Sequence, residues 1–159
     1  MFEYFYNEIF RSVIIGFGSL FNGIEIKKGD SIIKVPLAYG PTQKFLARMQ
    51  QEADLNKPVS ITLPRMSFEF LGLQYDSSRK STQTQSIINQ TPDGANVKRN
   101  YLPVPYNMRF ELSIMTKLND DMLQIIEQIL PYFQPAYQLP INFLGNLKEK
   151  RDVPINLDN

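Results

Sequence analysis

Two stretches of alternating apolar and polar residues limit the fold of this chain more than any other feature. The first, residues 66–70, has its apolar side chains at Met66, Phe68 and Phe70. The second, within residues 104–117, has them at Met108, Phe110, Leu112 and Ile114. A period of two residues is typical of strands that bury one face and expose the other. We therefore predict two long strands of one sheet.

Two segments before the second strand have the periodicity of amphipathic helices. Residues 2–21 carry apolar side chains along one face, and Asn22-Gly23 supplies a stop. Gly16 and Gly18 weaken this helix, so they indicate close packing against a neighbouring element. A second helix is expected after Gly40-Pro41, ending at 56–58, with its buried side at Phe45, Leu46, Met49 and Ala53.

A third helical pattern, NDDMLQIIEQILPYFQP at 119–135, contains a proline within its apolar face. Pro131 lacks the N–H that would bond to the carbonyl of Glu127, and its ring collides with that carbonyl. We therefore predict regular helix over about 120–130, followed by a kinked turn that Pro135 ends. The pattern leaves open whether Tyr132-Phe133 faces the core or a neighbouring subunit.

The first turn of this third helix is acidic. Asn119 is the expected N-cap, and Asp120 and Asp121 follow near the positive end of the helix dipole. The alternative is a pair of metal-binding or acid–base carboxylates, with Glu127 nearby. Because no second carboxylate cluster at ligand spacing accompanies the aspartates, we interpret them as stabilisers of the helix end.

The remaining patterns complete the predicted fold. Residues 24–37 indicate a hairpin around Lys28-Gly29-Asp30-Ser31, and short strands are expected at Leu139–Phe143 and Val153–Leu157. Residues 76–100 are mostly Ser, Thr, Gln and Asn, and are predicted to be a long polar loop of the kind that carries contacts. The expected fold is α/β (α+β): one domain over 1–159, with a mixed, largely antiparallel sheet flanked by two or three helices.

Composition excludes several classes of function. The chain has no cysteine and no histidine, which removes thiolate chemistry, Ser-His-Asp triads and the usual zinc sites. The GFG at 16–18 lacks the third glycine and the preceding strand of a dinucleotide fingerprint. The uncharged stretch 12–24 is too short to span a bilayer and has no basic segment before it. We therefore expect no enzyme, no cofactor, no metal and no membrane partner.

Charge is balanced, with a formal net charge of +1, so no global field draws the chain to nucleic acid. Three small basic clusters interrupt that balance, SSRK, VKR and KEKR. Each is interpreted first as a solvated surface, and alternatively as a contact for an acidic partner or a passing phosphate backbone. The candidate residues are Arg79, Lys80, Lys98, Arg99, Lys148, Lys150 and Arg151.

Two blocks of sequence resemble a known family. MFEYFYNEIFRSVIIGFGSLFNGIEIK at the start, and ELSIMTKLNDDMLQIIEQILPYFQPAY at 111–137, are similar to the proximal tail sheath stabilisers, or tail terminators, of T-even-type contractile-tailed bacteriophages. The stretches IIKVPLAYG and KRDVPI extend the resemblance over much of the chain and leave 76–100 unmatched. Members of that family continue beyond the KRDVPINLDN segment, so the C-terminal part of the family fold is expected to be absent.

The resemblance implies a non-enzymatic structural protein of the virion. Six copies would form a ring at the tail–neck junction, assembled in the host cytoplasm, with the tail tube, tail sheath and neck or connector proteins as partners. Genome DNA would pass through the ring without sequence-specific binding. Tyr4 lies off the apolar stripe of the first helix, so we expect it to be exposed for a partner. The alternatives are another head–tail adaptor or tail-completion protein, and a small carboxylate-based enzyme.

Overall fold

A computed structural model of the chain describes Tyr4 and residues 6–50, 62–82, 84–90, 97–144 and 149–158. Among the described residues, three α-helices are interspersed with runs of strands in an α+β arrangement, which confirms the predicted class. In chain order they are α1 (Ile9–Phe21), β1 (Glu25–Lys28), β2 (Ser31–Lys34), β3 (Leu37–Tyr39), α2 (Thr42–Gln50), β4 (Arg65–Tyr75), β5 (Ser86–Gln90), β6 (Val97–Tyr101), β7 (Tyr106–Met115), α3 (Asn119–Ile129), β8 (Ala136–Leu144) and β9 (Glu149–Asn156).

The described strands form mixed and antiparallel sheets, as predicted, but four small sheets instead of one. The pairs β1–β2, β5–β6 and β8–β9 are antiparallel two-stranded sheets, and β3–β4–β7 is a three-stranded sheet. Within the latter, β3 runs parallel to β4, with Leu37 beside Met66. Each two-stranded sheet joins strands that are consecutive in the chain, whereas β4 and β7 are far apart in the sequence.

The chain divides into two compact units. Unit 1 comprises Met1–Glu69 and Glu111–Asn159, and unit 2 comprises Phe70–Phe110. The unit boundaries fall inside the continuous strands β4 and β7. The assignment of 1–159 to one domain stays a prediction.

All the buried apolar side chains of the described residues lie in unit 1. Phe17 is at the centre of this core, with its ring centroid 5.1 Å from that of Phe21 and 5.4 Å from that of Phe68. Ring contacts at these distances stabilise a core beyond the area that they bury. The core members are Val13, Phe17, Phe21, Ile24, Ile26, Val35, Phe45, Met66, Phe68, Ile125, Leu139 and Ile141.

Helix α1 differs from its prediction at its start. It begins at Ile9 and not at residue 2, because residues 6–8 are not helical and Glu8 has a φ of 54°, in the left-handed region. Residues 2, 3 and 5 lie outside the described residues. The predicted end is confirmed at Phe21, whereas Phe10, one of the apolar side chains on the face expected to be buried, is 52% exposed.

The two glycines of α1 pack closely against other elements, as predicted. A Cβ at Gly16 would lie 3.0 Å from Cδ2 of Leu139, and a Cβ at Gly18 would lie 2.8 Å from Cζ of Phe68. Because the Phe68 ring is itself buried, it has little room to move aside. Gly18 therefore lets the helix approach β4 at a distance that any side chain would prevent.

Replacing Gly18 with alanine is expected to lower the free energy of unfolding by about 1–2 kcal/mol, because overpacking exceeds the gain in helix propensity. Urea denaturation followed by circular dichroism measures the change. Gly23→Ala is the matched control, since no atom lies within 4 Å of a Cβ at that position. A Gly18→Ala protein as stable as the native chain would contradict this packing.

Helix α3 and its proline follow the prediction with one correction. The helix starts at Asn119 with Leu118 as N-cap, so the predicted capping role of Asn119 is wrong by one residue. A 3₁₀ turn at Leu130–Tyr132 contains Pro131 and is the predicted kinked final turn. Phe133, directly after this turn, faces the core, since its ring stacks on that of Phe21 with the centroids 6.4 Å apart. Tyr132 is 64% exposed, and its contact with a neighbouring subunit stays a prediction.

Helix α2 confirms part of its prediction. Phe45 is buried beneath the guanidinium of Arg65, which lies 5.1 Å from the ring centroid. Leu46, predicted to be buried, is 43% exposed, because the apolar stripe of this short helix is narrower than expected. The side chain of Met49, Ala53 and the predicted helix end at 56–58 lie outside the described residues.

The polar segment 76–100 is more regular than the predicted loop. A 3₁₀ turn occupies Ser77–Arg79, and β5 pairs with β6 over Ser86–Gln90 and Val97–Tyr101. Polar residues can form these two strands because backbone pairing satisfies their amides. Residues 83 and 91–96 are not among those described.

Candidate partner-binding surfaces

Unit 2 exposes large apolar side chains without burying any among its described residues. Leu71, Leu73 and Tyr75 lie on one face of β4, since they alternate along the strand. The Tyr75 ring contacts that of Tyr106 at 5.6 Å, and both rings remain more than 40% exposed. The exposed members are Leu71, Leu73, Tyr75, Ile88, Tyr101, Val104 and Tyr106. We name this set the unit 2 apolar surface.

Unit 1 also exposes apolar side chains on its helices. On α1, and on the coil before it, the exposed residues are Tyr4, Tyr6, Phe10 and Ile15. On α3, and at its two ends, they are Leu118, Leu123, Leu130 and Tyr132. Tyr4 is 95% exposed, which confirms its predicted exposure; its role toward a partner stays a prediction.

The acidic start of α3 anchors the β1–β2 hairpin. Asp121 is 2% exposed, and its Oδ2 lies 2.9 Å from Nζ of Lys28. The geometry is that of an ion pair and not of an aligned hydrogen bond, because Oδ2 has no hydrogen-bond partner among the described residues. Asp120 accepts a hydrogen bond from Nε2 of Gln124 at 3.0 Å. Both carboxylates therefore have structural partners.

Two glutamines of α3 bind the backbone of β1. Nε2 of Gln124 donates to the carbonyl of Lys27 at 3.3 Å, and its Oε1 accepts from the Lys27 N–H at 2.9 Å. Nε2 of Gln128 donates to the carbonyl of Glu25 at 2.7 Å. Sequence analysis missed this contact and the Lys28–Asp121 pair. The available signals were the four-residue spacing of the glutamines and the position of Asp121 four residues before the buried Ile125.

A cluster of hydroxyl groups joins α2 to β4 and β7 within unit 1. Oγ1 of Thr42 donates to Oγ of Ser113 at 2.7 Å and lies 3.5 Å from Oγ of the buried Ser67. Ser113 in turn donates to Oε1 of Glu111 at 3.3 Å. These bonds satisfy polar groups that packing has removed from water.

In unit 2, a turn around Asp76 holds one of the predicted cations. Asp76 Oδ1 accepts from the Ser78 hydroxyl at 2.5 Å, and Oδ2 accepts from Nε of Arg79 at 2.5 Å. These bonds, the hydroxyl first and the guanidinium second, lower the pKa of Asp76 to about 2. Nη2 of Arg79 also donates to Oδ1 of Asn107 at 2.5 Å. Arg79 is thus occupied by internal partners.

The Asp76 turn is expected to open between about pH 4 and pH 2, because a carboxyl with a depressed pKa stabilises the fold above its usual value, 3.8, and loses this as pH falls. The amide NMR signal of Ser78 should titrate near pH 2 in the native chain. It should not titrate in Asp76→Asn, which keeps an acceptor but has no charge to lose. A native midpoint near 3.8 would show that the turn does not stabilise the carboxylate.

The other predicted cations are distributed over both units. In unit 2, Lys80 is exposed, and Nε of Arg99 donates to Oγ of Ser86 at 2.7 Å. The backbone of Lys98 belongs to β6, but its side chain is outside the described set. In unit 1, Lys150 and Arg151 lie on β9, with Lys150 exposed. Lys148 is not among the described residues, and contacts of all these residues with partners stay predictions.

Within the described ranges, no three acidic residues are grouped in a way that could hold a metal ion. No helix in these ranges is long and apolar enough to cross a membrane; α1, for instance, has 13 residues. The surfaces described above are apolar faces, a hairpin held by α3 and cations that are distributed over both units.

Comparison with known proteins places the chain in a family of viral tail proteins. Residues 4–159 match the T4-like virus Myoviridae tail sheath stabiliser family, and the chain belongs to it. The match includes residues 76–100, which the resemblance seen in the sequence left unmatched. The chain is similar to the tail completion protein gp15 of Enterobacteria phage T4, at 36% identity over 171 aligned positions. The alignment covers 99% of this chain and 61% of that relative, so the chain spans about three-fifths of its length.

Proposed function

We propose that this chain is a structural virion protein that forms a ring of six copies at the head-proximal end of a contractile phage tail. There it ends the tail tube, stabilises the sheath and joins the tail to the neck. Membership of the tail sheath stabiliser family over residues 4–159 carries the proposal. The relative is a tail completion protein, which supports a role at a tail end.

The unit 2 apolar surface supports a role in assembly. Exposed apolar patches on folded proteins mark interaction sites, because their burial is favourable by roughly 25 cal/mol per Å². Unit 2 has no buried apolar residue among those described. A partner that covers Leu71, Leu73 and Tyr75 would therefore bury apolar area that unit 2 itself leaves in water, and so would stabilise it. We assign this surface to a tail protein or to a neighbouring copy in the ring.

The apolar residues on the helices of unit 1 offer further contacts. Closed rings form when one surface of a copy meets a different surface of the next. The exposed residues of α1, including Phe10 and Ile15, and those of α3, including Leu123 and Leu130, are two such distinct sets. Tyr4 extends the first set toward the start of the chain.

The surface lysines and arginines predicted as contacts are proposed to have a secondary role in binding partners or DNA phosphate. Arg79 and Arg99 already bond to groups of their own unit, so Lys80 and Lys150 are the better-placed contacts among the described residues. Lys98, Lys148 and Arg151 complete the proposed set. Genome DNA passing through the ring needs only such sequence-independent contacts with phosphate.

No catalytic role is proposed. The protein acts by binding its neighbours in a ring at the tail–neck junction of the virion, after assembly in the host cytoplasm. The second candidate is a tail-completion adaptor with a different ring size, and similarity to a tail completion protein favours it. Ring size and position in the virion separate the two candidates.

Mass photometry and electron microscopy of the purified chain test the proposal. We expect a species of six times 18.4 kDa, and restored joining of heads to tails that lack this protein. Leu73→Glu should weaken assembly because it places a charge in the unit 2 apolar surface. Gln74→Glu is the matched control, since it adds the same charge to the opposite face of β4.

A strictly monomeric chain that cannot join tails would overturn the proposal. A closed ring of another size that still completes tails would favour the second candidate. If Leu73→Glu and Gln74→Glu affect assembly equally, the unit 2 apolar surface is not part of the interface.

A further inference from the structure

One face of the β5–β6 pair in unit 2 carries two exposed apolar groups and a cation. Ile88 stands opposite Arg99, and Ser86 stands opposite Tyr101, so these four side chains share that face. Ile88 is 67% exposed, Tyr101 is 78% exposed, and Arg99 is also exposed. We name this set the β5–β6 face.

The hydrogen bond between Arg99 and Ser86 fixes where the positive charge lies on this face. Nε of Arg99 donates to Oγ of Ser86 at 2.7 Å. Because these two residues occupy diagonal positions of the ladder, the bond draws the guanidinium across the space between Ile88 and Tyr101. The acceptor is a neutral hydroxyl, so no described residue neutralises the charge. Along the β5–β6 face the order is therefore apolar, positive, apolar.

The outer face of α3 has the same order with the opposite charge. Leu123, Glu127 and Leu130 are spaced at i, i+4 and i+7, which places them in one row along the helix. All three are exposed. The helix contains no basic residue, and the Glu127 carboxylate has no hydrogen bond or ion pair among the described residues. Glu127 is thus an unpaired acid between two exposed leucines.

The two rows also match in length. Leu123 and Leu130 are separated by about 10 Å along the helix axis, at about 1.5 Å per residue. Ile88 and Tyr101 are diagonal neighbours, about 7–8 Å apart, and the long tyrosine side chain extends that reach.

Charge is divided between the two units in the same sense. Of the 17 basic and 16 acidic residues of the chain, residues 70–110 contain five and two. Unit 2 is therefore net positive and unit 1 is net negative. Opposite charges on two surfaces favour their encounter, so the distribution favours a contact between unit 2 of one copy and unit 1 of another.

We propose that the β5–β6 face of one copy docks on the outer face of α3 of the next copy, with Arg99 paired to Glu127. Ile88 and Tyr101 then cover the two leucines of α3. Tyrosine and arginine are enriched among the residues that dominate binding energy at interfaces. A contact between two different surfaces is the kind that generates rings. The inference rests on the proposed ring and names one of its interfaces.

Charge reversal of the two partners tests the contact in the full chain, with mass photometry over a range of concentrations as the measurement. Arg99→Glu places like charges at every interface, so assembly should need about a tenfold higher concentration than for the native chain. Glu127→Arg should have the same effect for the same reason. An equimolar mixture of the two variants should assemble like the native chain, because a ring in which they alternate pairs opposite charges at every interface.

Two charge reversals at other exposed positions are the matched controls. Lys44→Glu on α2 and Asp152→Arg on β9 make the same changes in charge outside both faces, and neither should change assembly. Thermal unfolding of each variant reports whether the fold is intact. Arg99→Gln, which only removes the charge, should weaken assembly by a smaller factor and keeps the test decisive if a reversal does not fold.

The inference is overturned if native rings form and the mixture of Arg99→Glu with Glu127→Arg assembles no better than either variant alone. It is also overturned if Lys44→Glu weakens assembly as strongly as Arg99→Glu. Neither result would contradict the proposed ring. Rescue by the mixture in an assembly of another size would support the contact and overturn the ring of six copies. A native chain that stays monomeric at every concentration would overturn both.

Discussion

Replacing Phe17 with alanine is expected to lower the free energy of unfolding by about 3–4 kcal/mol, the usual loss for a large aromatic side chain removed from a core. Phe17 is 7% exposed and contacts the rings of Phe21 and Phe68. Its removal leaves a cavity between α1 and β4 and deletes both ring contacts. Chemical denaturation, analysed for midpoint and slope, measures the loss.

The same helix supplies the control. Phe10 is 52% exposed, so Phe10→Ala removes the same atoms from a position that is already half in water. We expect it to cost less than about 1 kcal/mol. Equal destabilisation by the two substitutions would mean that α1 does not bury the face described above.

Replacing Lys28 with methionine is expected to cause the second large loss in the free energy of unfolding. It leaves the carboxylate of Asp121, 3% exposed, without its counter-charge, and an uncompensated buried charge typically costs 3–5 kcal/mol. Because the Lys28 side chain is itself 36% exposed, water partly screens the pair, and we expect a loss of about 2–3 kcal/mol. Thermal or urea denaturation at neutral pH gives the value.

A double variant distinguishes the loss of the Lys28–Asp121 attraction from the cost of leaving the buried Asp121 carboxylate unpaired. Lys28→Met with Asp121→Leu removes both charges, so it should be more stable than Lys28→Met alone. Lys27→Met, at the exposed neighbouring position, should change stability by less than about 0.5 kcal/mol. If Lys28→Met is as stable as Lys27→Met, the ion pair contributes nothing to the fold.

Most helices and strands could be predicted because their signals are local. The alternation at 66–70 and 108–114, the stop at Asn22-Gly23 and the proline after α3 each act within a few residues. The start of α1 could not be predicted in this way, because the apolar stripe continues to residue 2 while Glu8 breaks the backbone geometry. The strands β5 and β6 were missed because a polar hairpin has no hydrophobic period.

The contacts that hold the β1–β2 hairpin against α3 join residues that are far apart in the sequence. Lys28 and Asp121, or Lys27 and Gln124, are far apart in the chain, and no local pattern joins them. Family membership likewise came from long matched blocks and not from a catalytic or ligand motif, since the function of such a protein depends on the shape of its surfaces. The individual contact residues therefore stay predictions, to be tested by substitution.

The glutamine contacts of α3 also limit how far a sheet can spread. A hairpin with two open edges would allow strands to add on both sides, and copies could then propagate into a fibre. Since Gln124 bonds both backbone groups of Lys27 and Gln128 bonds the carbonyl of Glu25, a further strand cannot add at that edge of β1. Two amide side chains thus take the place of a neighbouring strand and protect this edge of the hairpin from strand addition.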